Sequence, residues 1–106
     1  GGEIRPTFGV PVREIQEGIK HGVRKVNVDT DLRLACTGAI RKAFAEEPSE
    51  FDPRYYNKPA RAAMQEVVKA RMEAFGQAGH AGDYEPVTLE EMADRYAKEG
   101  HELTAT

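Results

Sequence analysis

The sequence has little of what usually anchors a functional assignment. Its single cysteine, Cys36, excludes an internal disulfide framework and fits a reducing, cytoplasmic setting. No run is long and apolar enough to span a bilayer, and no charged-then-apolar leader marks a signal peptide. Neither sign of charge dominates. Fifteen Lys and Arg against 18 Asp and Glu leave a net charge of −3, which gives no electrostatic case for nucleic acid or a membrane surface. There is no glycine-rich phosphate loop of the Walker or dinucleotide type. The histidines, His21, His80 and His101, are far apart and lack metal-ligand spacing. No internal repeat or low-complexity segment is present.

What is there reads as one modest domain. The chain has 106 residues, 40% hydrophobic and 31% charged, which is ordinary for a globular protein. Pro11 suits the first position of a helix. Val12, Ile15 and Ile19 then make one apolar stripe. Glu14 and Glu17 come early and Lys20 and His21 late, as the helix dipole prefers, and Gly22 is a natural stop. Residues 23–29 predict a strand, with Val26 and Val28 on one face and Lys25, Asn27 and Asp29 on the other. Asp29 or Thr30 can cap the next helix, predicted over 31–45 with the stripe Leu32, Cys36, Ala39, Ile40 and Ala43. Gly38 is expected to allow close packing there, and Pro48 ends the helix.

A lone strand cannot satisfy its own backbone hydrogen bonds, and nothing later in the chain reads as a second one. Partner strands are therefore expected from sequence outside this chain. Residues 51–56 predict a short turn or helix, with Asp52 as cap and Pro53 at its first position. A longer helix is predicted over 59–75, stopping at Gly76, with Met64, Val67, Val68 and Phe75 on one face. Arg71 lies in the middle of that face and so needs an anionic partner. Thr88 and Glu91 form a capping box for a last helix with the stripe Leu89, Met92, Ala93 and Tyr96, ended by Gly100.

The turn Asn27-Val28-Asp29-Thr30 gathers an amide, a carboxylate and a hydroxyl where a strand hands over to a helix. Helix N–H groups together with Asn and Thr side chains can hold a phosphate, and Asp29 suits a hydroxyl or an ordered cation better. The same residues can equally be caps and turn formers and no more. Arg71 can bind a phosphate or sit in a structural ion pair. Lys25 reads as a surface cation, and Cys36 as a small core residue rather than a nucleophile.

Residues 9–31 carry a more specific signal. The core Asn27-Val28-Asp29-Thr30-Asp31, preceded by Gly18-Ile19-Lys20-His21-Gly22-Val23, resembles the C-terminal part of class II (zinc-dependent) fructose-1,6-bisphosphate aldolases. The match continues through Leu32-Arg33-Leu34-Ala35 and Thr37-Gly38-Ala39-Ile40. It resumes at Phe51-Asp52-Pro53-Arg54, at Lys58-Pro59-Ala60 and across residues 70–76, and weakens after Gly82.

The resemblance implies an α/β fold, a C-terminal fragment of a (β/α)8 TIM barrel that is mostly helical as it stands. Residues 1–50 would be the last helix–strand–helix unit, and 51–106 a helical extension serving as a subunit-interface arm. It implies reversible cleavage of fructose 1,6-bisphosphate to dihydroxyacetone phosphate and glyceraldehyde 3-phosphate by a homo-oligomeric enzyme, with zinc as Lewis acid. Asn27 and Thr30 would contact the ketose phosphate, with Asp29 beside the substrate. A helical arginine, often from a neighbouring subunit, binds the other phosphate in the family; Arg71 is the candidate, although some relatives carry it one turn earlier, where this chain has Val67.

The family's zinc histidines and catalytic aspartate precede this stretch, in part within a His-Gly-Ser type motif just upstream of a Gly-Gly such as Gly1-Gly2. The resemblance therefore assigns no zinc ligand and no catalytic residue to these 106 residues, and the segment alone is expected to be inactive. A tagatose-bisphosphate aldolase is a close variant. A freestanding helical binding or oligomerisation module is the alternative from a different class.

Overall fold

A computed structural model describes residues 2–99. Four helices follow in order: α1 (Val12–Lys20), α2 (Thr30–Glu46), α3 (Pro53–Ala74) and α4 (Leu89–Glu99). Among the described residues no strand forms. That corrects the expected α/β unit: residues 23–29 run without regular structure because the chain offers them no ladder partner. The alternation behind the expectation survives. Val26 and Val28 are half-buried while Lys25, Asn27 and Asp29 are exposed.

Pro11 sits one residue before α1, not inside it, and its carbonyl accepts the Glu14 and Ile15 N–H groups at 3.0 and 3.3 Å. The exit of α1 is a Schellman turn. The Val23 N–H donates to the Gly18 carbonyl at 3.0 Å and the Gly22 N–H to that of Ile19 at 3.2 Å, with Gly22 at φ +104°, a conformation glycine takes without strain. The exit of α3 repeats the device through Gln77 to Met72 (2.8 Å) and Gly76 to Glu73 (3.3 Å).

α2 packs along α3, and α1 touches α3. Ala43 and Ala60, 6% and 3% exposed, are the only fully buried hydrophobic side chains among the described residues. Phe44 and Tyr56 meet beside them, ring centroids 4.9 Å apart and tilted by 47°, a geometry aromatic pairs favour. The predicted α2 stripe faces inward as the spacing requires, with Leu32, Cys36, Ala39 and Ile40 half-buried. Gly38 does not serve close packing: it is exposed, and a Cβ there would meet nothing within 4 Å.

The second half differs from expectation at Pro59. α3 is one continuous 22-residue helix with Pro59 inside it, not a short turn followed by a later start. Asp52 caps it, accepting the Arg54 N–H at 2.9 Å, with Pro53 at the first position. Once that cap has started the helix, Pro59 costs it the Tyr55 carbonyl's donor, and the buried Ala60 next to it keeps the helix on α2.

The capping box of α4 forms as predicted. The Thr88 N–H donates to Glu91 Oε2 at 3.0 Å and the Glu91 N–H to Thr88 Oγ1 at 3.2 Å. Yet α4 packs against none of the other helices among the described residues, and Leu89 is 90% exposed. Its expected stop at Gly100 lies outside the described residues. The radius of gyration, 20.7 Å, exceeds the roughly 13 Å of a compact domain this long.

Candidate functional site

The approach to α2 and the last turn of α3 enclose a cleft of about 220 Å³, lined by Gly9, Val10, Ile15, residues 26–31 and Arg71. Asn27, Asp29, Thr30 and Arg71, the four residues singled out from the sequence, all line it. Schellman turns stand on both sides, one leading the chain from α1 into residues 23–29 and the other closing α3 just past Arg71.

An ion pair organises the cleft. Arg71 Nη2 donates to Asp31 Oδ2 at 2.8 Å, both side chains being about three-quarters buried, 23% and 22% exposed. The Gly9 N–H donates to the other oxygen, Oδ1, at 3.0 Å. The Arg71 hydrogen bond, then the Gly9 N–H, hold the Asp31 carboxyl below the ordinary carboxylate range against the opposing pull of partial burial. Arg71 Nε is buried and finds no partner among the described residues. A Cβ on Gly9 would lie 2.7 Å from Asp31 Oδ2, so the carboxylate occupies the space a side chain would need.

The turn itself is open. Asn27 Oδ1 accepts a hydrogen bond from the Lys25 ammonium, and Lys25 is an exposed cation, as read from the sequence. Asp29 precedes α2 but does not cap it; its Oδ1 accepts Arg33 Nε at 2.8 Å on the exposed surface. Thr30 is the first residue of α2 and is half-buried. The first-turn N–H groups of α2 thus have no side-chain cap, while the helix dipole adds partial positive charge there.

The sequence places Asp31 in the motif core, but neither Asp31 nor Gly9 stands among the expected site residues. The usable signal was the demand that a charged Arg71 on an apolar face find an anion, but nothing local says which. Arg71 also forms the wall between this cleft and an apolar groove of about 250 Å³ lined by Val23, Val26, Val28, Leu32, Val68, Met72 and Phe75.

The histidines do not converge on the cleft. His21 Nε2 lies 3.2 Å from Glu17 Oε1, and His80 Nδ1 lies 2.6 Å from Asp83 Oδ2; His101 lies outside the described residues. Among the described residues no three His, Cys, Asp or Glu side chains gather as a metal site. The donors present among the described residues do not fit zinc.

A family model of fructose-bisphosphate aldolase class-II matches residues 7–80, a stretch that contains the whole cleft. The chain belongs to the class-II fructose-bisphosphate aldolase family. Among aldolase relatives, that of Pseudomonas aeruginosa is 61% identical over 98 residues, covering 92% of this chain and 28% of the relative. The Stutzerimonas stutzeri aldolase is 63% identical over 97 residues, covering 92% and 27%. Fructose-bisphosphate aldolase 2 of Rhodobacter capsulatus is 54% identical over 97 residues, covering 92% and 85%. The chain thus spans little more than a quarter of the length of the first two. Of the readings open from the sequence, family membership carries the aldolase one over a freestanding helical module. No helix among the described residues is long and apolar enough to cross a membrane.

Proposed function

We propose that this chain forms the phosphate-binding end of a class-II aldolase active site, in an enzyme that reversibly cleaves fructose 1,6-bisphosphate to dihydroxyacetone phosphate and glyceraldehyde 3-phosphate. The observation that carries the reading is that Arg71, distant in sequence, lines one cleft with Asn27 and Thr30 at an uncapped helix N-terminus. A guanidinium offers a planar fork of donors suited to phosphate. The free N–H groups of α2, the Asn27 amide and the Thr30 hydroxyl add neutral donors, and the helix end favours an anion. Asp29, repelled by phosphate, faces a sugar hydroxyl instead.

The zinc site and the residues that break the carbon–carbon bond are assigned to parts of the TIM-barrel enzyme outside this chain, whose own share is to bind and orient. Residues 51–106 are read as an arm that packs on another subunit. The exposure of Val68 (43%), Met72 (43%), Leu89 (90%) and Tyr96 (42%) supports that reading. A reducing, cytoplasmic setting suits the free thiol of Cys36.

The test is calorimetric titration of the chain with fructose 1,6-bisphosphate. Arg71→Ala is expected to weaken binding about tenfold, the scale of a lost charge-assisted hydrogen bond, and Asn27→Ala or Thr30→Ala about threefold to fivefold, the scale of a neutral one. Equal affinities for wild type and all three variants would overturn the reading.

A further inference from the structure

Asp31 is out of place in an anion site. Its carboxylate borders the cleft proposed for a phosphate, where a like charge opposes the ligand. Yet both its oxygens are engaged, Oδ1 by the Gly9 N–H at 3.0 Å and Oδ2 by Arg71 Nη2 at 2.8 Å. Resting on the phosphate reading of the cleft and extending it, we propose that Asp31 is a positioning residue: fixed by the Gly9 backbone, it holds the Arg71 guanidinium in the cleft ready for a phosphate group.

Three observations carry the assignment. The first is that the carboxylate is oriented from both sides. The Gly9 N–H fixes Oδ1, so Oδ2 is presented to Arg71 in one direction. The second is that the pair is three-quarters buried, so solvent does not compete for the guanidinium as it would at the surface. The third is that the arginine spends one Nη2 donor on Asp31 and keeps others. A guanidinium carries five N–H donors, and Asp31 accepts from Nη2 alone.

A long side chain held in place before the ligand arrives loses less rotamer freedom on binding. The carboxylate therefore opposes the phosphate by its charge and favours it by ordering the residue that receives it. The balance decides whether Asp31 helps. Gly9 belongs to the same device, because a Cβ there would lie 2.7 Å from Oδ2 and 3.0 Å from Oδ1. Any side chain at position 9 pushes the carboxylate off its seat.

The charge and ordering effects have opposite signs, which makes the test sharp. Binding of inorganic phosphate to the full 106-residue chain is measured for wild type, Asp31→Asn and Gly9→Ala, each with and without Arg71→Ala, with far-UV circular dichroism on every variant. Asp31→Asn is nearly isosteric and removes the opposing charge. Gly9→Ala keeps every charge and displaces the carboxylate, so it tests the same idea independently.

Each is expected to weaken phosphate binding about fivefold when Arg71 is present, and to change it less than about twofold in the Arg71→Ala background, as for two groups acting through one contact. The Arg71 Nε–H resonance is expected to lose order in the Asp31→Asn chain. Unchanged or tighter binding in Asp31→Asn and Gly9→Ala, with Arg71→Ala still weakening it, overturns the positioning role and leaves the phosphate site standing. A wild-type chain that binds no inorganic phosphate overturns the phosphate reading and this inference with it.

Discussion

Between Gly9 and Gln77 the decisive contacts join residues far apart in the chain, whereas α4 starts on a cap made by near neighbours. In the first region Gly9 meets Asp31, Asp31 meets Arg71, and Gln16 Nε2 reaches the Ala74 carbonyl at 3.0 Å. In the second, Thr88 and Glu91 exchange hydrogen bonds three residues apart, and the helix they start packs on no other helix among the described residues. The family match covers the first region and stops before the second. Local capping is enough to form a helix but does not place it; placement comes from side chains that satisfy one another across the fold.

That contrast can be broken or sharpened by substitution. The largest effect is expected from Ala60→Leu, because Ala60 is 3% exposed where α3 lies on α2. Overpacking there should cost about 1–3 kcal/mol, read as a lower denaturation midpoint of the chain. The amide resonances of α4 should stay in place; if they move, α4 is not independent.

Next comes acid sensitivity. Asp31 titrates below the ordinary carboxylate range when folded, first because of Arg71 and then because of Gly9. Its stabilising share is therefore complete above the unfolded-state value and lost as pH falls through the folded one. Asp31→Asn should remove that slope and lower stability by about 1–2 kcal/mol at neutral pH, visible in melts recorded as a function of pH. An unchanged slope would mean that other carboxylates carry the acid response.

Thr88→Ala should cost about 1 kcal/mol, confined to α4. The expected signature is a small loss of helical ellipticity with an unshifted melt of the remainder. Leu89→Gln, at a side chain 90% exposed, should change stability by less than about 0.5 kcal/mol. A larger loss in chemical denaturation would show that α4 has a seat on the body of the chain.

Helix existence was legible because its causes are local. The stripe of Val12, Ile15 and Ile19, the glycines at 22 and 76, the cap at Asp52 and the box at Thr88 each act within a turn or two. The course of α3 differs from the helix expected over 59–75 because the Asp52 cap starts it at Pro53 and the helix runs on through Pro59. The strand at 23–29 showed its alternation but could not show a ladder, which needs backbone from elsewhere. Gly38 looked like a packing position only because glycine is small.

At the cleft, the turn residues Asn27, Asp29 and Thr30 stood out through their chemistry, and Arg71 through its misfit with an apolar face. Asp31 and Gly9 did not stand out. Each is ordinary among its neighbours, and their partnership exists only after folding.

The close approach of Gly9 to Asp31 bears on substitution as well as on structure. Positions 9, 31 and 71 are linked through one carboxylate, so they respond to change as a unit rather than as three. A side chain at position 9 would displace the carboxylate at 31, and that displacement leaves the arginine at 71, three-quarters buried, without its counter-charge. A change at any one of the three is then felt at the other two, and an ordinary glycine in a stretch without regular structure bears on the arginine it indirectly serves.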